Sequence, residues 1–97
     1  MKLFAWTHFQ SDYTDGLCVV VADSLEAARV WYVEAHIARA KETLTLSHAA
    51  YWESQGGLHV MEEREREAAI AAIMQPPDLV KELPQDVPCG AWCHGGG

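Results

Sequence analysis

The chain has 97 residues, 49% of them apolar, and carries 14 acidic against 7 basic side chains for a net charge of −7. A chain of this size buries roughly 60–70% of the surface it exposes when unfolded, which supports one modest core and excludes a second domain. The acidic balance argues against nucleic acid as a partner, because duplex affinity comes mainly from Lys and Arg neutralising phosphates.

Residues 1–22 predict a β-hairpin. Lys2 to Phe9 is rich in aromatic and β-favouring residues, and Ser11-Asp12-Tyr13-Thr14-Asp15-Gly16 is a cluster of turn formers. Leu17-Cys18-Val19-Val20-Val21-Ala22 follows, an unbroken apolar run with three valines. Such a run suits a strand buried on both faces better than a helix.

A helix is expected over residues 23–44. Asp23 offers a side-chain oxygen as N-cap and Glu26 completes a capping box, with carboxylates suited to the positive end of the helix dipole. Val30, Val33, Ile37, Ala40 and Leu44 fall on one stripe at helical spacing, and Ala28, Trp31, Ala35 and Ala38 make a second stripe nearly opposite. Two apolar faces need two partners: the sheet for one, and a second helix or a second subunit for the other, so a homodimer through the second stripe is one expectation.

From Thr43 to Gly57 the pattern is weaker. Ser47 is placed to cap a short helical turn through Tyr51 and Trp52, and Gly56-Gly57 ends it. A second full helix is expected over residues 58–74, where Glu62 and Arg66 form an i,i+4 pair and residues 68–72 supply strong helix formers. Pro76-Pro77 stops it. Pro84 and Pro88 keep the following stretch extended, residues 88–94 suit a last strand, and Gly95, Gly96 and Gly97 form a glycine tail. The order strand, strand, helix, helix, strand predicts one α+β domain, with a small three-stranded sheet and two helices packed on one face.

Alternation places Phe4, Trp6 and His8 on one face of the first strand, and Gly90, Trp92 and His94 on one face of the last. Turned away from the helices, these faces would form an aromatic platform in which Trp6 and Trp92 anchor a ligand or partner and His8 and His94 supply hydrogen bonds. Turned towards the helices, they are core, and Ala5, Thr7 and Ala91 are small enough to face water instead.

Catalytic constellations are scarce. No Gly-x-Ser-x-Gly, His-Glu-x-x-His or phosphate-cradling glycine motif is present, and the charged run at residues 62–67 alternates Glu with Arg as a solvated surface does. A non-enzymatic role without a cofactor is therefore expected. The three cysteines suggest reduced thiols rather than a disulfide framework. Cys89, Cys93 and His94 have the one spacing that invites a zinc module, although on a strand Cys89 and Cys93 would stand about 13 Å apart. Gly95, Gly96 and Gly97 leave bare backbone that suits a narrow slot or an anion.

Two families share features with the chain. Its Met1-Lys2-Leu3-Phe4 opening, the Asp12-Tyr13-Thr14 turn, Pro76-Pro77-Asp78 and the Gly95-Gly96-Gly97 end resemble small phage and prophage proteins. That resemblance implies an accessory or counter-defence inhibitor. A hairpin followed by a helix, ending in Gly96-Gly97, is also similar to ubiquitin-like sulfur carriers, in which the terminal carboxylate is adenylated and loaded. The leading expectation is a small acidic binding protein that engages a host protein or a small-molecule ligand through Trp6, His8, Trp92, His94 and the terminal glycines. With no run approaching the roughly 18 apolar residues of a membrane helix, and no signal-peptide pattern in the first residues, the expected location is the cytoplasm.

Overall fold

The structure, a computed structural model, describes residues 1–10, 15–84 and 86–93. The fold is α+β. Strands β1 (Lys2–Phe9) and β2 (Gly16–Ala22) form the expected antiparallel hairpin, followed by helices α1 (Leu25–Glu42), α2 (Leu46–Ser54) and α3 (Leu58–Ile73), then strands β3 (Leu79–Glu82) and β4 (Cys89–Cys93). The sheet has four strands in the order β3-β1-β2-β4, each antiparallel to its neighbours. Among the described residues three helices and four strands stand where two and three were expected, α2 falling where a short helical turn was expected.

Local chemistry explains most of these elements. Ser24, rather than Asp23, caps α1: its hydroxyl accepts the Ala27 N–H at 3.1 Å, while Glu26 in the first turn and Arg39 and Lys41 in the last complement the helix dipole. Thr45, rather than Ser47, caps α2 by accepting the His48 N–H at 3.2 Å. Gly56 and Gly57 adopt φ of 118° and 111°, backbone that L side chains avoid, and the Gly57 N–H closes on the Trp52 carbonyl at 2.8 Å.

The unexpected strand is β3. After Pro76-Pro77 the chain is held extended, and the free edge of β1 offers it a ladder partner. Asp78 starts this pairing. Its N–H donates to the Ala5 carbonyl at 2.7 Å, and its Oδ2 accepts the Thr7 N–H at 2.6 Å and the Thr7 hydroxyl at 2.8 Å. From there the chain crosses to the far edge of the sheet, tied on the way by reciprocal hydrogen bonds between Met1 and Leu83.

The core lies between the sheet and α1 with α3. Trp6, Phe9, Cys18, Val20, Tyr32 and Ile73 are its largest sealed side chains. The C-terminal carbonyls of α3, orphaned by the helix end, are taken up by α1 and β1. Arg29 donates to the Ile73, Met74 and Gln75 carbonyls at 3.0, 3.0 and 3.3 Å, and the Trp6 indole N–H donates to Gln75 at 2.8 Å. Among the described residues no helix is long and apolar enough to cross a membrane.

Candidate functional site

The tryptophan platform turns towards the helices. Phe4 and Trp6 belong to the core cluster, and Trp6 has 0% exposure, so the expectation that it meets a ligand at the surface is corrected. Its neighbour across the hairpin is Cys18, and Cys18 in turn faces Trp92. The strand β2 thus separates the two indoles that were expected side by side. The ladder also shifts register between Trp6 and Phe9, which breaks the alternation: Phe9 turns into the core, whereas Thr7 and His8 are both exposed. His8 therefore leaves the Trp6 face and lies 2.8 Å from the Asp15 carboxylate instead. His94, Gly95, Gly96 and Gly97 lie outside the described residues, as does the turn at residues 11–14.

Trp92 is half-buried at one edge of the sheet. The Arg39 guanidinium stacks over its ring at 3.8 Å, and Trp31 and Tyr32 meet it edge-on at 6.2 and 5.2 Å between centroids. Gly90 makes this packing possible. A Cβ there would stand 2.6 Å from the Val19 carbonyl oxygen and 2.8 Å from the Trp31 ring. Ala28 is buried in the core cluster and Trp31 packs against it, so this end of the second stripe of α1 is taken up within the chain, whereas Ala38 at its other end is exposed. Tyr32, which belonged to neither stripe, is fully buried.

A chain of hydrogen bonds runs inward beside this cluster: Glu65 Oε2 to His36 Nε2 at 2.8 Å, and His36 Nδ1 to the Tyr32 hydroxyl at 3.3 Å. Burial holds the Tyr32 phenol above its ordinary range and pushes the Cys18 thiol up to about 12. The chain of hydrogen bonds ends in the core at the Tyr32 phenol, and it joins α1 to α3. Among the described residues no three His, Cys, Asp or Glu side chains gather as metal ligands. Cys89 and Cys93 occupy opposite ends of β4.

The opposite face of the sheet carries no helix. Its rows follow from the register: Leu79, Ala5, Val19 and Ala91 form one row across all four strands, and Lys81, Leu3, Val21 and Cys89 form the next. Leu17 and Cys93 begin a third row, with Thr7 on the same side of β1. Antiparallel sheets that face water ordinarily alternate to polar residues on that side. Here the exceptions to apolar character are Thr7 and Lys81. Leu17 and Leu79, towards the ends of the rows, are 44% and 51% exposed, whereas the inner Ala5 and Val21 are buried, at 5% each, without belonging to the helix-side cluster.

This surface was written in the sequence as the unbroken apolar run of β2, whose two faces both require cover. Among the described residues, helices cover only one of them. A shallow hollow of about 210 Å³ beside Leu17, Val19, Ala91, Trp92 and Cys93 is the main relief at this end of the face. A larger open groove of about 530 Å³ runs along the start of α1, with Val30, Trp31 and Pro88 as its apolar lining and Asp23 and Glu26 at its rim. Comparison with known proteins finds no matching family model, no matching curated sequence and no matching solved structure.

Proposed function

We propose that the protein is a small acidic, non-catalytic binding protein whose association surface is the uncovered face of its sheet. One observation carries this reading: a four-strand row, Leu79-Ala5-Val19-Ala91, that is apolar from edge to edge and lies on the side without helices. Apolar surface of this continuity is a protein-contact signature, since solvated faces gain nothing from Leu and Val where Thr or Lys would serve. The partner is a protein rather than a small molecule. The face is broad, and the hollow of about 210 Å³ at its end falls short of the roughly 300–1,000 Å³ that ligand pockets occupy.

Affinity capture tests the proposal. The wild-type chain and Val19→Asp are immobilised separately and exposed to extract of the source cells, and bound proteins are identified by mass spectrometry. A partner retained by the wild type and lost with Val19→Asp supports the reading, and a host protein among them would fit the accessory role implied by the phage resemblance. Identical capture by both proteins refutes it.

A further inference from the structure

We infer that the open groove along the start of α1 binds a small organic cation, a protonated amine joined to an apolar or aromatic body. The inference goes beyond the association surface on the sheet, because the groove opens on the helix side and shares no residue with the rows of the uncovered face. Three observations lead there.

The first is size. At about 530 Å³ the groove falls within the roughly 300–1,000 Å³ that small-ligand sites occupy. The hollow between α1 and α3 and the one at the end of the sheet face, at about 200 and 210 Å³, fall below it.

The second is arrangement. Asp23 and Glu26 open a stripe that continues through Ala27, Val30 and Trp31 at the spacing of one helix face, and all five line the groove. The stripe is acidic at its N-terminal end and apolar at the other. Five residues of helix, from Glu26 to Trp31, advance about 7.5 Å along the axis, the reach of an amine on a two- or three-carbon chain carrying a ring. Val30 is 57% exposed, so its apolar surface is open to a ligand rather than spent on the core, and Pro88 adds a second apolar contact from the segment before β4.

The third is charge. Asp23 and Glu26 form no ion pair among the described residues, and no basic side chain lines the groove. The adjacent Arg29 is committed to the Ile73, Met74 and Gln75 carbonyls at the end of α3. The helix N-terminus contributes about half a positive charge, which accounts for one carboxylate at most. Two carboxylates outweigh it and leave the end of the groove negative by about 1.5 charges. An anion is repelled there and a neutral molecule gains nothing from the carboxylates, whereas a cation with an apolar body uses both ends of the stripe. Because the carboxylates are exposed, each strengthens binding only a few-fold.

Titration of the ¹⁵N-labelled intact chain with 3-phenylpropylamine, followed by ¹H–¹⁵N correlation spectra, tests this. The anion 3-phenylpropionate and the neutral 3-phenylpropanol share its ring and chain and differ in charge. The amine should shift the amide resonances of residues 23–31 with dissociation at roughly 0.1–5 mM, as suits a ligand of this size in an open site. It should bind at least threefold more tightly than the alcohol, the propionate should not saturate, and the amine should weaken severalfold between about 20 mM and about 500 mM NaCl. Asp23→Asn combined with Glu26→Gln should weaken the amine roughly 3- to 20-fold and bring it level with the alcohol. Val30→Lys, at an exposed position that tolerates the change, should abolish binding and provides the test should the double variant fail to fold. Ile70→Ser, on the exposed side of α3, should leave binding unchanged. Equal binding of all three compounds, an amine undiminished by the double variant or by Val30→Lys, or no saturable shift at residues 23–31 up to about 10 mM amine overturns the inference. A blocked lysyl-phenylalanine dipeptide bound at least tenfold more tightly than the amine also overturns it, since the groove would then be a contact for a basic protein segment.

Discussion

Alanine in place of Gly90 gives the sharpest test of how β4 is placed against α1. In a strand the exchange ordinarily stabilises, since alanine has less backbone entropy to lose and a better β propensity, by up to about 1 kcal/mol. Here the sign should reverse. The new methyl would stand 2.6 Å from the Val19 carbonyl oxygen and 2.8 and 3.0 Å from two carbons of the Trp31 ring. The carbonyl belongs to the neighbouring strand and cannot swing aside, and Trp31 is held edge-on against Trp92. Overpacking of this kind costs about 1–3 kcal/mol. For a domain of this size each kcal/mol moves the melting temperature by about 4–8 °C, so a fall of roughly 5–20 °C is expected in a thermal melt followed by circular dichroism. Trp31→Leu should recover part of the loss when combined with Gly90→Ala, with a coupling of about 1 kcal/mol, because it relieves the ring contact and leaves the carbonyl contact in place. A Gly90→Ala protein as stable as the wild type, or more so, would show that Trp31 does not lie over β4 and would refute the packing argument.

Thiol chemistry provides a second check: Cys89 and Cys93 are exposed whereas Cys18 is sealed and pushed up to about 12, so a thiol reagent at mildly alkaline pH should modify two sites quickly and the third only on unfolding. Three fast sites would place β2 wrongly. Asp78 accepts two hydrogen bonds from Thr7, which hold its carboxyl below the usual range. A depressed folded value contributes stability above the unfolded value of about 3.9 and loses it as pH falls through the lower folded value; melts of the wild type and Asp78→Asn between about pH 6 and pH 2 should therefore converge at the acid end, and parallel curves would deny the Thr7 clamp. Trp6→Ala should cost about 3–5 kcal/mol in urea denaturation. Trp6→Phe, which loses the donor to Gln75 and part of the ring volume in a sealed site, should cost less, about 1–3 kcal/mol; a near-neutral Trp6→Ala would return Trp6 to the surface.

The elements that sequence periodicity marks are those whose chemistry is local. The hairpin strands, α1 and α3 each carry their own pattern, and Gly56-Gly57 and Pro76-Pro77 punctuate them where expected. The caps went one or two residues astray because Asp23 and Ser24, like Thr45 and Ser47, compete for one role. The strand β3 was missed because four residues between prolines have no strand signal of their own; its ladder exists because β1 has a free edge.

Composition and alternation alone determined the acidic balance, the α+β class, and the fact that Phe4 and Trp6 share one face and Ala5 and Thr7 the other. Which of those faces the helices cover, and that β2 stands between Trp6 and Trp92, only the tertiary structure decided. The reason is physical: side-chain direction along a strand repeats every two residues and is set by the chain itself, whereas strand order depends on which distant edge a segment reaches after crossing the sheet, a choice made by the sum of contacts on both sides.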